Sequence, residues 1–143
     1  MASIILRWAI GLLFLCAGLL KASDAQQFAM DVQNYELTSW TFSILIAVYL
    51  PWLEIVSGIA LIARRLYSGA LAASTVMTAA FLAAILSAWW RDLDIACGCF
   101  GPEINHTNYP LHIIGNTLLL LALAFLKITE RRSNLQPAQP GIS

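Results

Sequence analysis

Along this chain the polar residues are gathered between the apolar ones rather than mixed among them. Residues 4–20, 42–63, 66–90 and 111–128 form four long, nearly unbroken apolar runs. At 1.5 Å of rise per residue, each has about the length a helix needs to cross roughly 30 Å of hydrocarbon. None shows the alternation of a barrel strand, whose side chains face lipid and lumen in turn. The pattern predicts an all-α, polytopic membrane protein with four transmembrane helices bundled over residues 1–132. A disordered tail is expected at 133–143, which holds Pro137, Pro140 and Gly141.

Between the first two runs the pattern changes. Ser23-Asp-Ala-Gln26 reads as a capping box. Ala25, Phe28, Val32 and Tyr35 follow at helical spacing, which predicts a short amphipathic helix lying in the membrane interface. In the first span Gly11 and Gly18 lie seven apart with Ala17 beside the second, a surface that lets another helix approach closely. Pro51 should kink or break the second span, because it removes a hydrogen bond and crowds the preceding turn. The third span is rich in Ala, Ser, Thr and Gly and is expected at the centre of the bundle. Small residues at 21–25 offer a signal-cleavage site, but the run before them is long and the later spans need a partner, so the first run is kept as a span. Leu15 before Cys16 is too large for a lipoprotein box.

Composition agrees with the membrane reading. The chain has 143 residues, 59% of them hydrophobic and 11% charged, against about 25% charged in soluble domains. Its mean hydropathy is +0.74. The formal net charge is zero, which leaves no basic footprint for nucleic acid. Arg64, Arg65, Lys127, Arg131 and Arg132 flank one side of the predicted bundle. The positive-inside rule makes that side cytoplasmic, with both termini. The opposite loops hold Asp24, Asp31, Glu36, Asp92, Asp94 and Glu103, with Lys21 and Arg91 as their basic residues, and Trp40, Trp89 and Trp90 at the boundary. The expected location is a bacterial inner membrane, with the loop at 91–110 in the periplasm.

That loop carries Cys97-Gly-Cys99. Two thiols one residue apart can form a strained disulfide, grip a soft metal, or stand idle. A static staple across one residue constrains almost nothing. A strained bridge in an oxidising compartment is suited to exchange. The metal reading needs His106 and His112 as further ligands, and that spacing matches no strong pattern. His112, at the start of the fourth span, could instead serve a quinone or take a proton from a thiol. Cys16 lies on the loop side of the first span and is a candidate third thiol, or a small core residue. Glu54 is the acid within a span, and such acids are costly and functional candidates. Counted by depth, Arg7 is its expected ion partner, and a proton site for quinone chemistry is the other reading. Asn116, one turn after His112, is expected to bond between helices. Asn105-His-Thr107 matches a glycosylation sequon, which carries little weight in a bacterial-looking membrane protein.

Several of these landmarks occur together: Arg7 near the start of the first span, Ala17-Gly-Leu-Leu-Lys21, Phe28 and Tyr35, Leu50-Pro-Trp-Leu-Glu54, Gly58, Cys97-Gly-Cys-Phe-Gly101 and Asn116. The combination resembles the MauE family within the broader DoxX-like group, over roughly residues 4–128. The resemblance implies an inner-membrane protein of methylamine utilisation, acting with a periplasmic thioredoxin-fold partner to mature the disulfide-rich small subunit of methylamine dehydrogenase. It implies that Cys97 and Cys99 are the redox pair and Glu54 the membrane acid. Where many members carry Trp and Arg near the start of the last span, this chain has Leu111, His112 and Gly115. The reading is a membrane thiol–disulfide oxidoreductase or accessory, with quinone as the candidate cofactor and no bound metal. Its rivals are a non-enzymatic scaffold for maturation and a quinone-linked respiratory subunit like DoxX.

Overall fold

Each apolar run is one helix, and a fifth, shorter helix lies between the first two. A computed structural model describes residues 1–93 and 109–135. The elements are α1 (Ala2–Ser23), α2 (Ala25–Asn34), α3 (Trp40–Ala63), α4 (Tyr67–Trp90) and α5 (Tyr109–Leu135). Among the described residues there is no strand. α5 runs to Leu135, three residues into the stretch expected as tail, and 136–143 lie outside the described residues.

The four long helices form a ring. α1 packs on α3, α3 on α4, α4 on α5 and α5 on α1, while the diagonal pairs make no close backbone contact. Ring neighbours are antiparallel: Ala70 and Leu71 of α4 cluster with Leu123 and Leu126 of α5, and Ile85 and Ala88 cluster with Tyr109 and Ile113. One end of the ring carries α2 and the two attachment points of residues 94–108, and is called the loop end here. The other carries Arg7, Arg64, Arg65 and the last turns of α5, and is called the basic end.

The outside of the ring is as apolar as the inside. Tyr49, Trp52, Val56, Val76, Leu118 and Leu121 are all more than half exposed. Water would not tolerate so continuous an apolar surface, whereas lipid does. Among the described residues four helices are long and apolar enough to cross a membrane, and the protein is a multi-pass membrane protein.

The closest interface is α1 on α3, and glycines make it so. A Cβ added at Gly18 would stand 2.7 Å from the Pro51 carbonyl oxygen and 2.8 Å from Ile55 Cγ1. One at Gly58 would stand 2.7 Å from the Gly11 oxygen and 2.8 Å from the Leu15 nitrogen. The backbones therefore touch directly, which is how helices gain packing energy in lipid. α3 contacts α1, α2 and α4 and is the most buried span, so it takes the central place expected of the Ala-rich α4. Small residues let α4 pack closely where it is covered, but most of it faces outward. α3 also runs unbroken through the buried Pro51. The proline costs the Ala47 carbonyl its helical donor without ending the helix.

α2 is capped one residue later than the sequence pattern indicates. Asp24 accepts from the Gln27 backbone N–H at 3.0 Å, while the Ser23 hydroxyl donates to the Leu20 carbonyl. A carboxylate is as good an N-cap as a hydroxyl, and two adjacent cap residues leave the choice to chain geometry. Phe28 and Ala29 pack against Ala47 of α3. Asp31 is buried on the same helix and accepts from the Gln27 side chain at 3.0 Å. Burial raises its carboxyl above the usual value, the Gln27 hydrogen bond lowers it, and the Asp24 charge raises it further. Beyond α2, the buried Ser43 hydroxyl donates to the Gln33 side chain, and the Arg91 guanidinium donates to the Tyr35 carbonyl. These bonds tie α2 to α3 and α4.

Candidate functional site: a buried ion pair on an apolar cavity

The acid of the second span sits on the inner face of α3, one turn from Pro51, and is 7% exposed. Its partner is Lys21. Lys21 Nζ lies 2.6 Å from Glu54 Oε1, and the side chains are 10% and 9% exposed. This corrects the expected Arg7–Glu54 pair. Across the glycine interface Gly18 faces Pro51 and Ile55, and Gly11 faces Gly58 and Ile62. Glu54 is thus nearly level with Gly18, while Arg7 lies nearly three turns away, about 15 Å along the axis. Lys21 is about one turn off and its flexible stem spans the gap. Arg7 stands instead at the basic end with Arg64, Tyr67 and Glu130, and its Nε has no partner among the described residues.

Lys21 also lies 5.4 Å from the centre of the Phe28 ring, a cation–π contact that fixes the ammonium under α2. Glu54 Oε1 is occupied by Lys21, but Oε2 is buried and has no hydrogen-bond partner among the described residues. The pair forms part of the wall of a cavity of about 270 Å3 to which all five helices contribute. Phe14, Phe28 and Phe81 give it aromatic faces, and Thr78, His112 and Asn116 bring polar groups. Tyr35 meets Phe81 edge to face at 6.5 Å and backs that wall. Thr78 donates to the Ser74 carbonyl at 2.8 Å. Asn116 donates to the His112 carbonyl at 2.9 Å, a bond within α5 rather than the expected one between helices.

The structure therefore brings Glu54, His112 and Asn116 to one cavity and adds Lys21, which the sequence offered as a loop charge and as the end of the Ala17-Gly-Leu-Leu-Lys21 landmark. The available signal was the pairing of a last-turn lysine with an in-span acid beside Gly18. Cys16 lies on the exposed face of α1. Cys97, Cys99 and His106 lie outside the described residues, as does Asn105. Among the described residues no group of three His, Cys, Asp or Glu is placed to hold a metal ion.

The family model described as methylamine utilisation protein MauE matches residues 1–129, from the first turn of α1 into the last turns of α5. The chain belongs to the MauE family. The MauE match takes in Lys21, Glu54, the cavity and both loop cysteines. It makes this multi-pass protein a membrane component of methylamine utilisation. No curated protein and no solved structure matches the chain.

Proposed function

We propose that this MauE chain is the membrane-embedded member of a thiol–disulfide exchange system, oxidising a thioredoxin-fold partner on the periplasmic side of a bacterial inner membrane. The observation that carries the reading is the family match over residues 1–129, which spans the Cys97-Gly98-Cys99 segment. Charge placement supports the orientation. Arg64, Arg65, Arg131 and Arg132 are exposed at the basic end, and the positive-inside rule sets that end in the cytoplasm. The segment 94–108 is joined to the bundle at Leu93 and Tyr109, both at the opposite end. It then meets an oxidising compartment.

The exchange proceeds by two sulfur substitutions. A thiolate of the partner attacks one sulfur of the Cys97–Cys99 disulfide. That bond breaks, a mixed disulfide forms, and the other loop cysteine leaves as a thiolate. The second partner thiolate then attacks the mixed disulfide. It leaves the partner oxidised and the loop as a dithiol, so two electrons pass from partner to loop. The oxidised partner can then form disulfides in a periplasmic protein such as a methylamine dehydrogenase subunit.

Single Cys97→Ser and Cys99→Ser chains test this, since each removes one sulfur of the cycle. At least one should trap a reductant-sensitive adduct with a thioredoxin-fold protein on a non-reducing gel. Full maturation of the periplasmic enzyme with both cysteines replaced would overturn the reading and leave a scaffold role.

A further inference from the structure

The cavity behind the Lys21–Glu54 pair has features the exchange reactions do not use. It is not sealed from lipid. Leu13, Leu111 and Gly115 line it and are also exposed on the outer surface, Leu13 by 43% and Leu111 by 66%. They lie on α1 and α5, the neighbouring pair of the ring that touches most sparsely. The cavity opens sideways, at that seam, into the hydrocarbon. What enters there must dissolve in lipid.

The inner wall then limits what can stay. Phe14, Thr78 and Glu54 are all buried there. The Lys21 ammonium spends one donor on Glu54 Oε1 and has others, while Glu54 Oε2 is a buried acceptor with no partner among the described residues. An acyl chain offers neither donor nor acceptor. A volume of about 270 Å3 is small beside ordinary ligand sites of about 300–1,000 Å3 and excludes a whole phospholipid. One substituted ring fits, with aromatic faces from Phe14, Phe28 and Phe81 to stack on. An oxygen that accepts from Lys21 in one redox state and donates to Glu54 Oε2 in the other matches both groups.

We infer that this cavity binds the ring of a membrane quinone and its quinol, admitted through the α1–α5 seam. The inference deepens the exchange reading and rests on it for its redox role. Oxidation of the Cys97 and Cys99 thiols to a disulfide releases two electrons and two protons. Reduction of one quinone to quinol takes up two of each, so the loop is restored as oxidant and the quinol leaves to the lipid. Glu54 and Lys21 hold the ring oxygens and are positioned to carry protons there.

The test uses the full chain in lipid nanodiscs with a photoreactive azidoquinone, decylubiquinone as competitor, and adducts mapped by mass spectrometry. Adducts should concentrate on α1, α4 and α5 around Leu13, Met77 and Leu111 and be displaced by decylubiquinone. Gly115→Phe should weaken binding at least tenfold. A Cβ there meets nothing within 4 Å, so the first atom of the added side chain has room. Leu13→Trp gives a second block of the same seam should Gly115→Phe fail to fold. Glu54→Gln should weaken quinol binding more than quinone binding. Adducts spread over the lipid-facing surface and not competed, or undiminished binding in both seam variants, would overturn the inference. The chain with both Cys97→Ser and Cys99→Ser should bind quinone normally. Binding retained in a wild-type chain that exchanges no disulfides would sink the thiol reading alone. Exchange retained with no specific binding would sink the cavity alone.

Discussion

A carboxylate inside a membrane span is tolerated only with company, and for Glu54 the company is Lys21 at 2.6 Å. Removing one member of a buried pair strands the other charge and costs about 3–5 kcal/mol, whereas removing both is often near neutral. Lys21→Met or Glu54→Leu alone should therefore lower the thermal midpoint in detergent by several degrees. The double variant should recover most of that loss, and Arg7→Gln should not couple to Glu54. Independent, additive losses from Lys21 and Glu54 would refute the pair. At this scale the sequence is half legible. An acid in an apolar run announces itself, and so does its need for a cation. Which cation answers depends on how two helices are staggered, and that stagger is set by glycine contacts no single run displays. Lysine's flexible stem adds a turn of tolerance that counting along an axis does not allow for.

Among the elements, the α1–α3 interface decides that stagger. At Gly18 and Gly58 an added methyl would meet backbone atoms, which cannot turn aside. At Gly11 the backbone contact is looser, with the Gly58 carbonyl oxygen at 3.0 Å, and the nearest atom is Ile62 Cγ1 at 2.6 Å. Overpacking of this kind costs about 1–3 kcal/mol. Gly18→Ala and Gly58→Ala should destabilise most, Gly11→Ala less, and Gly69→Ala hardly at all, since a Cβ at Gly69 meets nothing within 4 Å. A series of thermal melts checks the ranking, and equal effects at Gly18 and Gly69 would contradict the interface. The spans themselves were plain from hydropathy, because lipid requires each helix to be apolar along its whole length. Their neighbours were not. In lipid all outward faces look alike, so the Ala-rich composition of α4 suggested a central place that α3 occupies. The cap of α2 moved by one residue for a similar reason, Ser23 and Asp24 being chemically equivalent candidates.

For the whole molecule, a four-helix ring with a roofing α2 puts the cavity at the loop end, where residues 94–108 are attached. Arg7, Arg64, Arg65, Arg131 and Arg132 gather at the other end. This polarity was legible from charge alone, since it depends on where the arginines are most numerous and not on packing. The cavity was not legible, because its wall draws on all five helices and its opening on a sparse contact between the first and last of the ring. The proposed exchange requires that Cys97 and Cys99 form a disulfide on the periplasmic side. The most direct measurement is labelling of intact cells with a bulky, membrane-impermeant maleimide, before and after reduction, in wild type and in Cys97→Ser and Cys99→Ser chains. Labelling at these two positions should appear only after reductant, and in each single variant the fraction of the remaining thiol not held in a partner adduct should label without it. Free labelling of both thiols in untreated cells, unchanged when the periplasm is made more oxidising, would contradict the proposed exchange.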